Sequence, residues 1–274
     1  MDERKRRMTE FYERISATYD HRMETLMHLS TRLAEALVRQ AAISEGERVL
    51  DVGTGTGNVA LAAARFVGAQ GRVIGVDLSS SMLAEARRKA VNLPVEFQEM
   101  DAESLEFGDA TFDVVLSGLT LWFLPDVVRG MKQIYRVLRP GGRVAFSTYT
   151  PETFQPLREL MWKRLVQHGV PRLPAPAEPW MVLREPGHLL RLLEEAGFRE
   201  PRVVAEPHVH MLRSGEEWWT FIRRSASWGE LFDELPAEAL ESLKAEIIGD
   251  VEGLRTPDGI RVDTSALIGI GVRR

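Results

Sequence analysis

Residues 49–58, Val-Leu-Asp-Val-Gly-Thr-Gly-Thr-Gly-Asn, set three glycines at every second position directly after a short apolar run. That order describes a strand running into a turn without obstructing side chains, with a helix to follow. Such a turn lets a ligand approach backbone amides closely. It suits chains in which strands and helices alternate and the strand ends face one crevice.

The alternation is present. Arg48–Val52, Arg72–Asp77, Pro94–Gln98, Phe112–Leu116 and Arg143–Ser147 are short apolar runs. Between them, Asn58–Val67, Ser79–Val91 and Asp126–Leu138 carry helical spacing. Strands joined by helices in this way predict a parallel sheet covered on both faces. Two helices, at residues 8–18 and 22–43, precede the first strand, with stripes at Phe11, Ile15, Tyr19 and at Leu26, Leu29, Leu33, Leu37. Beyond residue 150 the spacing predicts a helix over 153–167, a proline-rich loop over 171–179 and a helix over 187–196. A strand starts at Arg202 and runs toward Met211, with a bulge or sheet edge at Pro207. A tryptophan-rich helical stretch follows over 215–248, then a last strand, Ala266–Val272.

The 274 residues suffice for one large α/β domain or a domain with a cap. A net charge of −5 argues against a general attraction to nucleic acid or anionic membrane. With no cysteine, disulfides, zinc–thiolate sites and cysteine nucleophiles are excluded. No apolar stretch follows the N-terminal basic residues, and none approaches the length of a membrane span, so a cytoplasmic protein is expected. Arg4-Lys5-Arg6-Arg7 reads as a solvated helix face or frayed end.

The ligand is narrowed by the acids. Gly53, Gly55 and Gly57 are spaced one residue short of the dinucleotide fingerprint, and Asp51 lies two residues before the first glycine. A carboxylate there opposes a pyrophosphate and favours a cationic group. Asp77 ends the second strand, 20 residues beyond Gly57, and suits two ribose hydroxyls. Asp77 is also a good helix N-cap, a duty the serines at 79–81 can take instead. Asp101 follows the third strand, beside Ala102 and Glu103. Together these residues describe a nucleoside with positive charge and no phosphate, and S-adenosylmethionine fits.

The segments "VLDVGTGTGNVAL", "GVDLSSSML", "MDAESLEF", "FDVVLSGLTLWFLPD" and "LRPGGRVAFSTY", with "FYERISATYD" upstream, resemble the class I S-adenosylmethionine-dependent methyltransferases, in particular the group that includes the ubiquinone/menaquinone-biosynthesis methyltransferases (the type 11 group). The resemblance covers roughly residues 8–150. It implies a Rossmann-like, doubly wound, mostly parallel seven-stranded sheet with an antiparallel final hairpin and a helical cap. Residues 1–45 would close over the cofactor, 46–150 would bind it, 151–200 would form a lid insertion, and 201–274 would complete the sheet with an acceptor-side helical insertion. Asp51, Gly53, Thr54, Gly55 and Gly57 would receive the methionine part, and Asp77 the ribose. Leu78 would pack on adenine, Met82 would bind the cofactor, Asp101 would accept from the adenine amine, and the Ala102 amide would donate to a ring nitrogen. Ser117 and Gly118 would line the sulfonium end. Tyr12 and Tyr19 either close over the cofactor or pack as an ordinary helix face.

Methyl transfer from a sulfonium needs alignment and exclusion of water more than a particular catalytic side chain. The stretch Ser117–Leu124 is apolar and lacks the Asn/Asp-Pro-Pro-Tyr/Phe motif of enzymes that methylate base or glutamine nitrogens. A small-molecule acceptor is therefore expected: phenolic, quinol-like or another secondary metabolite. Trp122 and Trp180 are candidate walls of its pocket, and Phe123 reads as core. His208 and His210 alternate along one strand; a base or plain strand histidines are both open, and no third ligand suggests a metal. The alternatives are a nicotinamide-dependent oxidoreductase and a non-catalytic protein that binds S-adenosylmethionine. A monomer or homodimer fits either reading.

Overall fold

The computed structural model describes residues 3–27, 29–170, 183–225, 228–233 and 235–274. Trp180 and the proline-rich loop lie outside the described residues.

Five strands carry the parallel part of the sheet: β1 (Arg48–Val52), β2 (Arg72–Asp77), β3 (Val95–Glu99), β4 (Phe112–Gly118) and β5 (Leu138–Tyr149). β6 (Arg199–Glu206) and β9 (Ala266–Val272) complete it, in the order β3-β2-β1-β4-β5-β9-β6. β9 runs antiparallel to both β5 and β6. The chain thus builds outward from β1 on one side through β2 and on the other through β4. The crevice at the C-terminal ends of β1 and β4 is where such sheets take their ligands.

Alternate residues of each strand feed two cores. Leu50, Val52, Ile74, Val76, Val115, Val144 and Phe146 join one. Val49, Val73, Val114, Leu116, Ala145, Ile268 and Ile270 join the other. The second core is closed by α2 (Leu29–Ala41), α3 (Asn58–Ala64) and α4 (Ser80–Lys89). The first is closed by α5 (Val127–Val137), α6 (Leu157–Gln167), α7 (Pro186–Glu195), α8 (Gly215–Arg224) and α9 (Ala237–Glu252). Burial on both faces is why these strands read as nearly continuous apolar runs. An aromatic cluster of Phe154, Trp218, Phe221 and Trp228 knits α8 to the turn before α6, with centroids 5.1–6.2 Å apart.

Several sequence expectations are corrected. The strand expected to run from Arg202 past Pro207 is two strands. β6 ends at Glu206, and β7 (Val209–Leu212) pairs with β8 (Ile260–Asp263) in a separate two-stranded sheet. Proline has no amide to give a ladder, so the chain changes sheets there. The helix expected from residue 153 starts at Leu157, because the Thr153 hydroxyl is spent on the Ser265 carbonyl (2.8 Å) and on the Thr150 amide (2.9 Å). Arg139–Gly142 is no gap between helix and strand: β5 begins at Leu138 and its register on β4 jumps across those residues. The first helix, α1, extends over Glu3–Met27.

Among the described residues no helix is long and apolar enough to cross a membrane, and no group of three or more metal-binding side chains is gathered in one place.

Candidate active site

The turn after β1 is shaped by two close fits. Gly53 has φ +69°, and a Cβ there would lie 2.0 Å from the Thr120 methyl carbon beyond β4. Gly55 has φ +52°, and a Cβ there would meet nothing within 4 Å. One glycine lets two segments touch; the other leaves space over the backbone. The Gly53 and Thr54 amides donate to the Val76 carbonyl at 2.8 and 2.9 Å, fixing the turn against β2.

A cavity opens over this turn, between the strand ends and α1. Gly53, Thr54 and Gly55 form its floor, with Asp77, Leu78, Met82 and Ala102 along one flank. Tyr12 and Tyr19 cover it from α1, and Gly118 lies at its β4 end. These expected site residues therefore converge on one space.

Asp51 is fully buried behind the turn. Its Oδ2 accepts from the Thr54 hydroxyl at 2.6 Å and from the Ala60 amide at 3.0 Å, tying β1 to the start of α3. Its Oδ1 is buried with no hydrogen-bond partner. Burial pushes its pKa up to about 7, the bonds from Thr54 and Ala60 hold it back, and Asp77 adds to the rise. Asp77 accepts from the Gly55 amide (2.8 Å) and the Ser79 amide (3.0 Å). Burial raises its pKa against those bonds. Ser79 caps α4 by accepting from the Met82 amide at 3.2 Å, so Asp77 is relieved of capping. Two carboxylates buried this way call for cationic or donor groups from a ligand.

The structure departs from the sequence reading at five positions. Ser117 is fully buried and donates to the Val52 carbonyl at 3.0 Å, so it holds β4 to β1 instead of lining the cavity. Gly57 is not in the wall; a Cβ there would meet Ala86 and Phe97 at 3.0 and 3.1 Å, so this glycine serves the packing of α3. Phe123 and Trp122 exchange roles. A short 3₁₀ turn at Leu121–Phe123 points Phe123 into the cavity and buries Trp122 against Tyr149, with centroids 5.5 Å apart and planes at 27°. Lys5 is not solvated: it is 8% exposed, lines the cavity and bonds Asp101 Oδ2 at 2.6 Å, with Glu103 as its second ion partner.

His208 and His210 lie apart from the cavity, at the step between the two sheets. His208 Nδ1 is 2.6 Å from the Thr264 hydroxyl, and His210 stands opposite Val262 on β8.

Sequence reasoning also missed how α1 is held. Glu13 accepts from the hydroxyls of Ser79, Ser80 and Ser81 at 3.0–3.2 Å and from the Ser81 amide at 3.3 Å. Asp20 accepts from the Thr56 hydroxyl at 2.5 Å and from Lys89 Nζ at 2.6 Å. The spacing of Lys5, Glu13 and Asp20 on one helix, seven or eight residues apart, is the signal that was available.

The residues fit S-adenosylmethionine on this geometry. The orphaned Asp51 oxygen, the open space over Gly55 and the buried Asp77 carboxylate suit a cationic amino acid joined to a ribose.

Comparison with known proteins agrees. A family model described as a methyltransferase domain matches residues 50–146. The aklanonic acid methyltransferase DauC of Streptomyces sp. strain C5 is 31% identical over 212 residues, which span 72% of this chain and 94% of that enzyme. The ubiquinone/menaquinone biosynthesis C-methyltransferase UbiE of Haemophilus ducreyi is 31% identical over 164 residues, covering 58% of this chain and 63% of the relative. Among solved structures, the YcgJ protein of Bacillus subtilis shares the fold with a TM-score of 0.59 at 20% identity, over 89% of this chain and 98% of that one. Family membership decides against the nicotinamide-dependent alternative: the chain belongs to the S-adenosylmethionine-dependent methyltransferases.

Proposed function

We propose that this enzyme methylates a small planar aromatic acceptor, phenolic or quinol-like, held in a chamber that α1 caps. The observation that carries this reading is the composition of the cavity's β4 end. Leu33, Ala34, Leu119, Phe123 and Leu124 wall it, and among the described residues its ring hydroxyls are those of Tyr12 and Tyr19. Tyr12 stands edge-on to Phe123 and to Tyr19, with centroids 5.8 and 6.0 Å apart. Flat rings are the natural guests of such a wall. The names of the relatives, an aklanonic acid methyltransferase and a ubiquinone/menaquinone biosynthesis C-methyltransferase, support the same class.

When bound, S-adenosylmethionine supplies a methyl group on a sulfonium, an electrophile that needs no further activation. The protein's task is placement. In this reading Gly53 and Gly55, with Asp51 behind them, hold the amino-acid part, and Asp77 holds the ribose. Leu78, Met82, Asp101 and Ala102 hold the adenine. Gly118 borders the β4 end, where the acceptor comes in line. Tyr12 and Phe123 shut out water. Burial pushes the Tyr12 hydroxyl well above the usual phenol range, so it stays protonated. Among the described lining residues the carboxylate is Asp77, which this reading commits to the ribose, so an acceptor that ionises or enolises by itself fits this chamber best.

The test has two parts. Asp77→Ala is expected to abolish S-adenosylhomocysteine binding in calorimetry, and unchanged binding overturns the site. Transfer of a labelled methyl group to a panel of hydroquinones, naphthols and hydroxyanthraquinones is expected to select a planar member. Activity on amines alone overturns the acceptor class.

A further inference from the structure

Lys5 is the least expected member of the cavity. A buried ammonium is costly unless each N–H finds a partner. Here one N–H meets Asp101 Oδ2 at 2.6 Å and a second side serves Glu103. Both acids are themselves held. Asp101 Oδ1 accepts from the Glu103 amide at 2.9 Å, and the Glu103 carboxylate accepts from the Asp126 amide at 2.6 Å. Burial pulls the Lys5 pKa down, and the bonds to Asp101 and Glu103 more than restore it, so the group stays charged. Its third N–H has no hydrogen-bond partner among the described residues, and Lys5 lines the cavity beside Thr9, Met100 and Ala102.

We propose that Lys5 is a specificity residue for the cofactor's base, its ammonium donating to one of the two ring nitrogens that flank the exocyclic amine of adenine. The proposal rests on the reading that places adenine at Asp101 and Ala102. The amine is a donor and each flanking ring nitrogen an acceptor. The Lys5 ammonium lines the cavity, and the Asp101 carboxylate bonded to it, set behind the lining residues, puts an acceptor beside that donor. The Ala102 amide supplies a second donor for the other ring nitrogen. A base with a carbonyl in place of the amine would set oxygen against carboxylate and be refused. The pair also explains why a lysine on α1 is buried 96 residues away from its partner in sequence. With α1 seated, Lys5 completes the base-reading set.

The experiment is calorimetry of the full chain with S-adenosylhomocysteine and with its 1-deaza and 7-deaza analogues, each lacking one flanking nitrogen. The wild type is expected to bind each analogue about tenfold more weakly. Lys5→Met is expected to weaken S-adenosylhomocysteine about tenfold and to erase the penalty for one analogue while keeping the other. Lys5→Gln, which keeps a neutral donor, should restore part of the lost discrimination and serves if Lys5→Met does not fold. If Lys5→Met and Lys5→Gln weaken all three ligands by one common factor, Lys5 merely fastens α1 and the proposal is overturned. If Asp77→Ala and Asp101→Asn both bind S-adenosylhomocysteine as the wild type does, the adenine lies elsewhere and the underlying site reading falls.

Discussion

Asp51 Oδ2 and the Thr54 hydroxyl are 2.6 Å apart across the β1 turn, while Asp51 Oδ1, on the same carboxyl group, is buried with no partner. That imbalance makes proton release part of cofactor binding. A carboxyl with its pKa near 7 is about half protonated at neutral pH, and a cationic ligand favours its ionised form. Affinity for S-adenosylhomocysteine should therefore rise as pH is raised through about 7 and level off above it. Calorimetry in buffers of different ionisation enthalpy should show about half a proton released at pH 7. In Asp51→Asn the release should vanish.

The same group has the opposite sign in the unliganded protein. Its pKa rises from 3.8 to about 7 on folding, so the folded state holds the proton more tightly. Stability should be highest below pH 3.8 as far as this group is concerned, fall as pH rises between 3.8 and about 7, and be flat above. Thermal unfolding of Asp51→Asn should lack that component.

Gly53 and Gly55 separate fold from function. Gly53→Ala brings a Cβ to 2.0 Å from Thr120 at φ +69° and should cost about 3 kcal/mol. In a chain of this size that is roughly 8 °C in Tm. Gly55→Ala meets no neighbour and should cost about 1 kcal/mol for its φ alone, yet weaken S-adenosylhomocysteine by an order of magnitude or more by filling the space over the backbone. Differential scanning calorimetry and titration distinguish the two.

Phe123 and Trp122 should part in the same manner. Phe123→Ala, in the cavity wall, should raise the acceptor KM about tenfold and leave cofactor affinity within about threefold. Trp122→Ala, 6% exposed and stacked on Tyr149, should cost about 3–5 kcal/mol in denaturant unfolding. Equal KM effects in the two variants would contradict the exchange of roles.

His208→Ala and His210→Ala should keep kcat/KM within about twofold of the parent, since both lie outside the cavity wall. A larger loss in steady-state assays would return them to the chemistry.

The sheet was legible because its signals are local. Strands buried on both faces must be apolar throughout, and Arg48–Val52 and Arg72–Asp77 are seen at the very bounds read from the sequence. The acids at strand ends were legible for the same reason: Asp77 and Asp101 follow directly from where β2 and β3 stop. What escaped depends on partners far along the chain. Lys5 reads as a surface charge until Asp101 and Glu103 are brought to it. Ser117 and Gly118 are neighbours on β4, and only the packing of β4 against β1 decides that Ser117 turns to the Val52 carbonyl while Gly118 meets the cavity. Trp122 and Phe123 are equally apolar, and one 3₁₀ turn sorts them. Ile260–Asp263 is too short to announce itself as a strand without Val209–Leu212 beside it.

The helix that covers the cavity is fastened along its length by ion pairs and charge-assisted bonds at Lys5, Glu13 and Asp20. Those fastenings are not equally sheltered. Lys5 and its partner Glu103 are 9% and 7% exposed along their side chains, whereas Asp20 and Lys89 are 32% and 23% exposed. Dissolved ions screen open pairs far more than buried ones. Rising ionic strength should thus release the Asp20 end of α1 while the Lys5 end holds, turning the helix into a flap hinged at the adenine side. The salt content of its surroundings would then set how quickly spent cofactor leaves.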